Sequence, residues 1–492
     1  MMGTPLSTLN PAELWPLLPE LVMVTGAFAL LVLDLFVPPR RNGIVHALGF
    51  VLLLVTAALC VAGSGGHGTV LNGMFVRDTL ADLMKGGILL TTALAFVYAW
   101  PFLRERGLYK GEVTLLLLFA ALGMMLLVSA GSLVMVYLGL EMLALSSYAL
   151  VVTDRDNAVA SEAGMKYFVL GALASGMLLF GMSLVYGATG TLDLAQINAS
   201  AQGGGAHRDL LLAGAAFLVA GIAFKFGAAP FHMWLPDVYQ GAATPITLFI
   251  GSAPKIAALG MTLRLLDNGL SSIGNHWQPM VAALSALSLV IGNFAALMQT
   301  NLRRMLAYST ISHVGFLLMG VAGGGAEGNA SALFYAVIYA LTAAAAFGLI
   351  TLMARKGFEA DEIDDYKGLA ARQPLMAALI LCVMASLAGV PPFIGFFAKL
   401  TVIEGALHGG LLWLAIVGII CAVVGAFYYL RLIKVMYFDQ PVEGARPLVA
   451  REEGGVKWLF AANAGVLLVL SVFLQPLMAW CKNVFDVTIS GG

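Results

Sequence analysis

Long apolar stretches follow one another along almost the whole of this 492-residue chain. An α-helix needs roughly 20 apolar residues to cross a bilayer, and 60% of the residues are hydrophobic while only 11% are charged. A soluble domain carries about 25% charged residues, so the sequence predicts an all-α polytopic membrane protein. We identify fourteen segments of the required length, near residues 16–37, 44–62, 80–102, 112–130, 132–152, 162–187, 209–240, 243–266, 279–299, 304–322, 330–354, 374–408, 410–438 and 457–480.

The basic residues predict how these spans are oriented. Cytoplasmic loops carry an excess of Lys and Arg, and an even number of spans places both termini on one side. On the side of the membrane that holds the termini and the loops after even-numbered spans, the only basic residues are Arg77, Arg208 and Lys482. We therefore expect the loops after odd-numbered spans to be cytoplasmic and both termini to face outward. The loops after odd-numbered spans hold 17 of the 26 basic residues, namely Arg40, Arg41, Arg104, Arg106, Lys110, Arg155, Arg303, Arg304, Arg355, Lys356, Lys367, Arg372, Arg431, Lys434, Arg446, Arg451 and Lys457.

Two of the spans are predicted to be broken helices. Residues 209–240 contain Pro230, and residues 374–408 contain Pro391 and Pro392; a proline removes a backbone hydrogen bond and clashes with the preceding turn. The breaks are five spans apart, which fits two five-helix repeats formed by spans 4–8 and 9–13. An odd number of helices per repeat inverts the second copy. The predicted division is an N-terminal three-helix segment, a first repeat, a second repeat and a C-terminal helix with its tail, at 1–111, 112–266, 279–438 and 457–492.

Four charged residues stand deep inside otherwise apolar spans: Glu141, Lys225, Lys255 and Lys399. A charge at the bilayer centre costs roughly 2.5–3.5 kcal/mol, so such residues face a protein interior or a water-filled path. Several in one chain indicate a route for protons or ions, and an ionised Glu141 is expected to need a lysine partner. The competing interpretation is structural: Lys225 pairs with carbonyls freed at the Pro230 break, and Lys255 and Lys399 are buried as neutral amines.

Three further basic residues lie nearer the ends of spans. Lys166 is about one turn inside its span, where it can belong to the route, reach the interface, or pair with Glu162 four residues before it. Lys85 and Arg264 lie closer to the outer boundary, and we expect them to have an interfacial structural role in which the side chains reach toward water.

Histidines and cysteines give a weaker signal. His232 follows the first break by two residues and His313 lies within the tenth span; a buried imidazole can relay a proton, although a hydrogen-bonded packing role is equally common. The four cysteines are far apart in apolar runs, which argues against a disulfide framework, a metal site or an iron–sulfur site. The sequence contains no stripe of basic residues of the kind that binds nucleic acid.

Five sequence motifs carry a resemblance to a known family. Together they resemble the proton-conducting membrane subunits of respiratory complex I, which are similar to Mrp-type sodium–proton antiporter subunits. In that family the fifth-span glutamate and the seventh-span lysine form a pair, carried here by Glu141 and Lys225. The resemblance also implies that Lys255, His313 and Lys399 belong to a central hydrophilic axis, whereas Arg303 stands where a lysine is expected. The motifs are YLGLEMLALSSYAL, EAGMKYF, FKFGAAPFHMWLPDVYQGAATPIT, NLRRMLAYSTISHVGF and SLAGVPPFIGFFAKL.

The resemblance implies a proton-translocating subunit in a bacterial inner membrane that performs no redox chemistry itself. NADH, FMN, iron–sulfur clusters and quinone are then expected in partner subunits, with no cofactor and no metal in this chain. Its partners are expected to be the other membrane and peripheral subunits and the lipid bilayer. An Mrp-type cation antiporter would use the same buried residues, and a purely structural scaffold would tolerate their replacement, so both alternatives remain open at this point.

Overall fold

The computed structural model describes residues 11–38, 43–63, 68–203, 207–440, 448, 450 and 455–490. The predicted placement of both chain ends, and Arg40, Arg41, Arg446 and Arg451 from the orientation prediction, lie outside these residues. The α-helices, in chain order, are α1 (Leu18–Asp34), α2 (Gly43–Ala62), α3 (Thr79–Arg106), α4 (Gly111–Val128), α5 (Leu133–Val151), α6 (Ala158–Thr189), α7 (Leu194–Gln202), α8 (Arg208–Phe226), α9 (Trp234–Gly241), α10 (Thr244–Gly251), α11 (Ala253–Thr262), α12 (Gly274–Leu297), α13 (Leu302–Gly323), α14 (Gly325–Met353), α15 (Leu369–Arg372), α16 (Pro374–Ala388), α17 (Ile394–His408), α18 (Leu412–Phe438), α19 (Val456–Val472) and α20 (Leu474–Ser490).

The helices confirm the prediction of an all-α polytopic membrane protein. Among the described residues, 12 helices are long and apolar enough to cross a bilayer. The predicted last span is a pair, α19 and α20, bent by 82°, and the predicted span 374–408 consists of α16 and α17, of 15 residues each. The predicted span 243–266 contains a break that the sequence reading missed, at Ser252 between α10 and α11. The division into inverted repeats stays a prediction.

Burial separates central helices from peripheral ones. In the span formed by α10 and α11, and also in α13, 94% of the most apolar stretch is buried, whereas in α1 and α2 the share is 33% and 28%. A helix that is apolar all round and covered by its neighbours belongs in the protein interior, while α1 and α2 leave apolar faces open to lipid. The candidate lysines at 255 and 399 therefore lie among helices that exclude lipid.

Both predicted helix breaks are present, and the helix before each break ends in the same way. Helix α8 stops at Phe226, followed by Gly227 with φ of 74°, and α16 stops at Ala388, followed by Gly389 with φ of 80°. The amide after each glycine donates back into the helix, from Ala228 to Ala223 O at 2.8 Å and from Val390 to Ala385 O at 3.0 Å. This is the Schellman termination, which needs the left-handed glycine, and it leaves the last carbonyls of each helix without backbone partners.

A short hairpin links α2 to α3. Strands β1 (Gly68–Val70) and β2 (Phe75–Arg77) pair antiparallel, with Thr69 opposite Val76. Asp78 then caps α3 by accepting from the Ala81 amide at 2.8 Å, an arrangement that satisfies a free amide at a helix start. The hairpin lies directly beside the buried charges of α3.

The prediction for Lys85 and Arg264 is wrong. The two side chains were expected to reach toward water, yet the residues are 0% and 2% exposed. Lys85 forms a 2.7 Å ion pair with Glu20, and Arg264 forms one of the same length with Asp78. These partners lie 65 and 186 positions away in sequence, so spacing within one span gave no indication of them.

Candidate functional site

A small cavity of about 30 Å³ lies beside the first helix break and brings Lys225 and Lys255 together. Lys225 is the penultimate residue of α8, and its half-buried ammonium is 3.5 Å from Ser175 Oγ of α6. Tyr167 and Trp234 stack face to face in the wall of the cavity, with ring centroids 4.5 Å apart. The cavity therefore holds two amines among hydroxyl and aromatic groups.

Lys255 covers the end of the broken helix. Its Nζ, on α11, donates to Phe226 O at 2.8 Å, and it lies 5.6 Å from the Trp234 ring centroid. Trp234 Nε1 donates to Phe224 O at 3.1 Å. Lys255 therefore satisfies Phe226 O, the last carbonyl of α8, while Phe224 O accepts from Trp234 in addition to the Gly227 amide at 2.9 Å. The charge of Lys255 is favourable at a helix C-terminus. Lys255 is 1% exposed.

Glu141 and Lys225, which the resemblance pairs, are not in direct contact. In the described part of the chain Glu141 forms no ion pair with Lys225, and the buried Oε1 of Glu141 has no hydrogen-bond partner. Helix α6 packs against both α5, which carries Glu141, and α8, while Leu140 and Ala144 of α5 line the same cavity as Lys225. Direct ion pairing at this site would require a helix or side-chain movement.

The second helix break places Lys399 in a comparable position. Its Nζ donates to Leu387 O at 2.9 Å and to Ala388 O at 2.8 Å, the last two carbonyls of α16, and lies 5.3 Å from the Phe316 ring centroid. Here the lysine belongs to α17, the helix that follows the break in the same span. Lys399 is 7% exposed.

His313 is held by tyrosine hydroxyls next to Lys399. Its Nδ1 is 2.6 Å from Tyr335 Oη, and its Nε2 is 3.0 Å from Tyr429 Oη. His313 borders a small cavity of about 10 Å³ that is also lined by Ala398, the residue before Lys399. Hydroxyl and imidazole groups both donate and accept, so this cluster can pass a proton without a carboxylate.

The tyrosine cluster extends through four helices. Tyr429 Oη contacts Ser309 Oγ, and Tyr428 Oη donates to Asn293 Oδ1 at 3.0 Å. Tyr339 Oη donates to Thr310 Oγ1 at 2.8 Å. The sequence reading missed these tyrosines. The available signal was the four-residue spacing of Tyr335 and Tyr339, which places both on one face of α14.

The remaining two candidates, Lys166 and His232, are not among the residues described as lining either cavity. Lys166 is 44% exposed and pairs with Glu162 at 2.9 Å, as the spacing predicted, and with Asp237 of α9 at 2.8 Å. His232 lies in the first break and is half-buried, and its Nδ1 has no hydrogen-bond partner among the described residues. Lys166 therefore fixes α6 to α9, and His232 is free to exchange a hydrogen bond with water or a neighbour.

Arg303 has a structural position. It contacts Asp361 Oδ2 through Nε at 3.0 Å and through Nη2 at 2.7 Å, and donates to Ala242 O at 3.2 Å. Burial of Asp361 raises its pKa, but the Arg303 charge and hydrogen bonds from Arg303 and Asn301 outweigh this, so the pKa lies below its ordinary value. Arg303 thus joins the start of α13 to two loops and keeps Asp361 ionised.

Comparison with known proteins decides the family. Residues 130–425 match the family described as "NADH:quinone oxidoreductase/Mrp antiporter, TM". The chain belongs to this family. The matched residues include all seven candidates, Glu141, Lys166, Lys225, His232, Lys255, His313 and Lys399, and exclude the buried Glu20–Lys85 pair.

Relatives match over nearly the full chain. A protein of Xanthomonas euvesicatoria named "NADH-quinone oxidoreductase subunit N" is 59% identical over 486 residues, covering 99% of each chain. One of the same name from Thioalkalivibrio sulfidiphilus is 48% identical and covers 96% of this chain and 98% of the relative. The chain is thus similar to these subunits over its whole length and is a multi-pass membrane protein of this family.

Solved structures share the architecture. A chain of respiratory complex I from Thermus thermophilus has a TM-score of 0.79 at 30% identity, covering 94% of this chain and 98% of that one. A chain of the Mrp complex from Dietzia sp. has a TM-score of 0.82 at 22% identity, covering 97% of each; this second likeness concerns the fold alone. In the described residues, no group of three or more His, Cys, Asp or Glu side chains could hold a metal ion.

Proposed function

We propose that this chain is the proton-translocating, antiporter-like membrane subunit of a bacterial NADH–quinone oxidoreductase, in the position that its relatives name subunit N. One observation carries the chemistry: Lys255 and Lys399 place ammonium groups on the carbonyls freed at two helix breaks, 2.8 Å from the nearest oxygen at each. An amine held beside a cavity in the protein interior can load and release a proton. The substrate site of a soluble enzyme would not require amines buried as deeply as these.

In the half of the chain that contains the first break, proton transfer would begin at Lys225. An ionised Glu141 brought close to Lys225 favours the ammonium form, whereas burial disfavours it. Because the two side chains form no ion pair in the described structure, the approach and withdrawal of Glu141 would load and unload Lys225. The cavity shared by Lys225 and Lys255 provides the next step, and His232 in the break is a further acceptor.

In the half of the chain that contains the second break, the proton would pass through neutral groups. Lys399 would exchange it with His313 by way of the small cavity that His313, Tyr335 and Tyr339 line. Each step moves one proton from a donor N–H or O–H to an acceptor nitrogen or oxygen, so no electrons change hands in this chain. The redox reaction that drives transport, with its NADH, FMN, iron–sulfur clusters and quinone, would belong to partner subunits.

The same proposal includes a domain division and an orientation. Residues 112–266 would form the first antiporter-like repeat and 279–438 the inverted second, with 1–111 and 457–492 at the two ends. Both termini would face the periplasm. A cysteine placed at Lys367 is expected to react with a membrane-impermeant maleimide only from the cytoplasmic side, and one placed in segment 198–206, which begins within α7, only from outside. Exchanged labelling would refute the orientation.

The function is tested by replacing the first acid and the first amine. Glu141→Ala and Lys225→Ala should each reduce NADH-driven proton uptake into membrane vesicles by roughly tenfold or more, since the first variant lacks the carboxylate whose approach favours the ammonium form and the second lacks the amine itself. Uptake is normalised to assembled complex and measured with and without sodium.

Two outcomes decide between the alternatives. Wild-type uptake in both variants would remove these residues from the path and refute the proposal. A requirement for sodium would favour the Mrp-type cation antiporter instead.

A further inference from the structure

A second buried acid–amine pair lies outside the segment that matches the family. Glu20, on α1, and Lys85, on α3, form an ion pair at 2.7 Å and are 4% and 0% exposed. The Lys85 ammonium also lies 4.9 Å from the Phe75 ring centroid. Like Glu141 and Lys225, these residues come from different helices. Unlike them, they are already in contact.

Two arginine pairs surround Glu20 and Lys85. Arg77 contacts Asp82 at 3.1 Å, and Arg264, directly beyond α11, contacts Asp78 at 2.7 Å. All six residues are at most 9% exposed, and their formal charges sum to zero. Helix α2 contributes the buried Cys60 to these surroundings, whereas its other titratable group, His46, lies against Phe96 O and Thr114 Oγ1.

The three pairs differ in what they can do chemically. An arginine does not deprotonate in a protein, so the Arg77 and Arg264 pairs act as fixed clamps. A carboxylate and a lysine in direct contact can both change protonation state. In the described part of the chain, Glu20 Oε2 and Asp82 Oδ1 are buried without a hydrogen-bond partner. Buried polar oxygens normally have a partner, so both are available to a proton or a water molecule.

Two cavities lie near the cluster. Asp82 borders a groove formed by α2, α3, α14 and α20. The cavity of Lys225 and Lys255 is lined by Leu127 and Met261. Arg264 lies three residues after Met261 and donates to Val128 O at 2.9 Å.

Close helix packing connects the lysine cavity to the cluster. A Cβ at Gly260 would lie 2.5 Å from Val128 Cγ1 and 3.0 Å from Met84 Sδ, and Met84 precedes Lys85. Helix α11, whose Met261 lines the cavity, therefore packs directly against α4 and α3.

We propose that Glu20 and Lys85 form a second proton-exchanging site that serves the lysine cavity from the N-terminal helices. The Lys85 ammonium donates a proton to the Glu20 carboxylate, leaving a neutral amine and a carboxylic acid. The amine is then able to accept a proton from the cavity side, and the acid releases its own toward the groove by way of Asp82. The arginine pairs hold this geometry. The inference rests on the proposed proton-transfer function of the chain.

The test separates proton exchange from a clamp. Lys85→Arg keeps the charge but cannot release a proton, so the proposal predicts assembled complex with NADH-driven proton uptake reduced at least roughly fivefold. If the pair of Glu20 and Lys85 has only a structural role, proton uptake in this variant should be normal. Lys482→Arg is the matched control, because Lys482 forms an exposed pair with Glu327 at 2.7 Å, and its uptake should equal that of the wild type.

A double variant covers the case in which Lys85→Arg does not assemble. Glu20→Gln with Lys85→Met removes both charges together and leaves no unpaired ion in the interior. The proposal predicts assembly with reduced uptake, and normal uptake would overturn it. Glu141→Ala is measured in parallel: if it is inactive while the double variant is normal, only the inference about Glu20 and Lys85 fails, whereas normal uptake in Glu141→Ala refutes the proposed function itself.

Discussion

At both helix breaks a lysine ammonium donates to carbonyls at the end of the broken helix, but the lysine comes from a different element at each break. At the first break Phe226 O receives the ammonium of Lys255 from a separate helix, α11, at 2.8 Å. At the second break Leu387 O and Ala388 O receive the ammonium of Lys399 from the next helix of the same span. The end of a helix freed by a glycine and proline break is thus a site that attracts a cation, whichever element supplies it.

The surroundings of the two lysines differ more than their hydrogen bonds. The first half has a carboxylate on a nearby helix, Glu141, and a cavity of about 30 Å³. In the second half the described hydrogen-bond partners of His313 are tyrosine hydroxyls, and the cavity that it borders is about 10 Å³. A carboxylate shifts a proton equilibrium by its charge, whereas a neutral cluster only relays a proton. This difference suggests that loading is controlled in the first half and passed on in the second.

The largest effect that distinguishes the breaks is expected from Gly389→Ala. The glycine has a φ of 80°, and a Cβ there would lie 2.9 Å from Lys399 Cδ and 3.2 Å from its Nζ. The methyl group therefore displaces an ammonium that makes two charge-assisted hydrogen bonds, each worth about 1.5–3 kcal/mol. We expect proton uptake per assembled complex to fall roughly tenfold.

Gly227→Ala is the matched control at the first break. Its φ of 74° imposes the same backbone strain, but the new Cβ would meet Leu235 Cδ1 at 2.3 Å rather than an amine. Assembly should suffer in both variants, and the rate per assembled complex should suffer more in Gly389→Ala. Equal rates would mean that the position of the Lys399 ammonium does not matter.

A smaller effect is expected at Arg303, whose pair with Asp361 holds loops rather than a proton path. Because the pKa of Asp361 is lowered in the folded chain, the pair stabilises at pH above the ordinary Asp value of about 3.9 and loses this contribution as pH falls below it. Asp361→Asn should lower stability in detergent by roughly 1–3 kcal/mol at pH 7 and by less near pH 3. Thermal unfolding at the two pH values checks this, with Asp364→Asn, at an exposed site, as control; an equal loss at both would contradict the assignment.

What the sequence could predict follows from the range of each interaction. Spans and breaks depend on local composition, so the proline-containing segments around Pro230 and Pro391 were located correctly. Contacts between helices do not follow from local pattern. The bond from Lys255 to Phe226 O, the Glu20–Lys85 pair and the tyrosines around His313 all depend on how helices pack. The lack of an ion pair between Glu141 and Lys225 in the described structure depends on it too.

The central claim is that the lysines at the breaks carry protons, rather than only capping helix ends with a fixed charge. Arginine can donate to the same carbonyls but cannot deprotonate, so Lys399→Arg separates the two roles, with Lys399→Ala for comparison. We predict that NADH-driven proton uptake per assembled complex in Lys399→Arg is nearly as low as in Lys399→Ala, and that Lys399→Glu, whose buried carboxyl can titrate, retains some uptake. Full uptake in Lys399→Arg, with loss in Lys399→Glu, would contradict the claim and leave Lys399 as a helix cap.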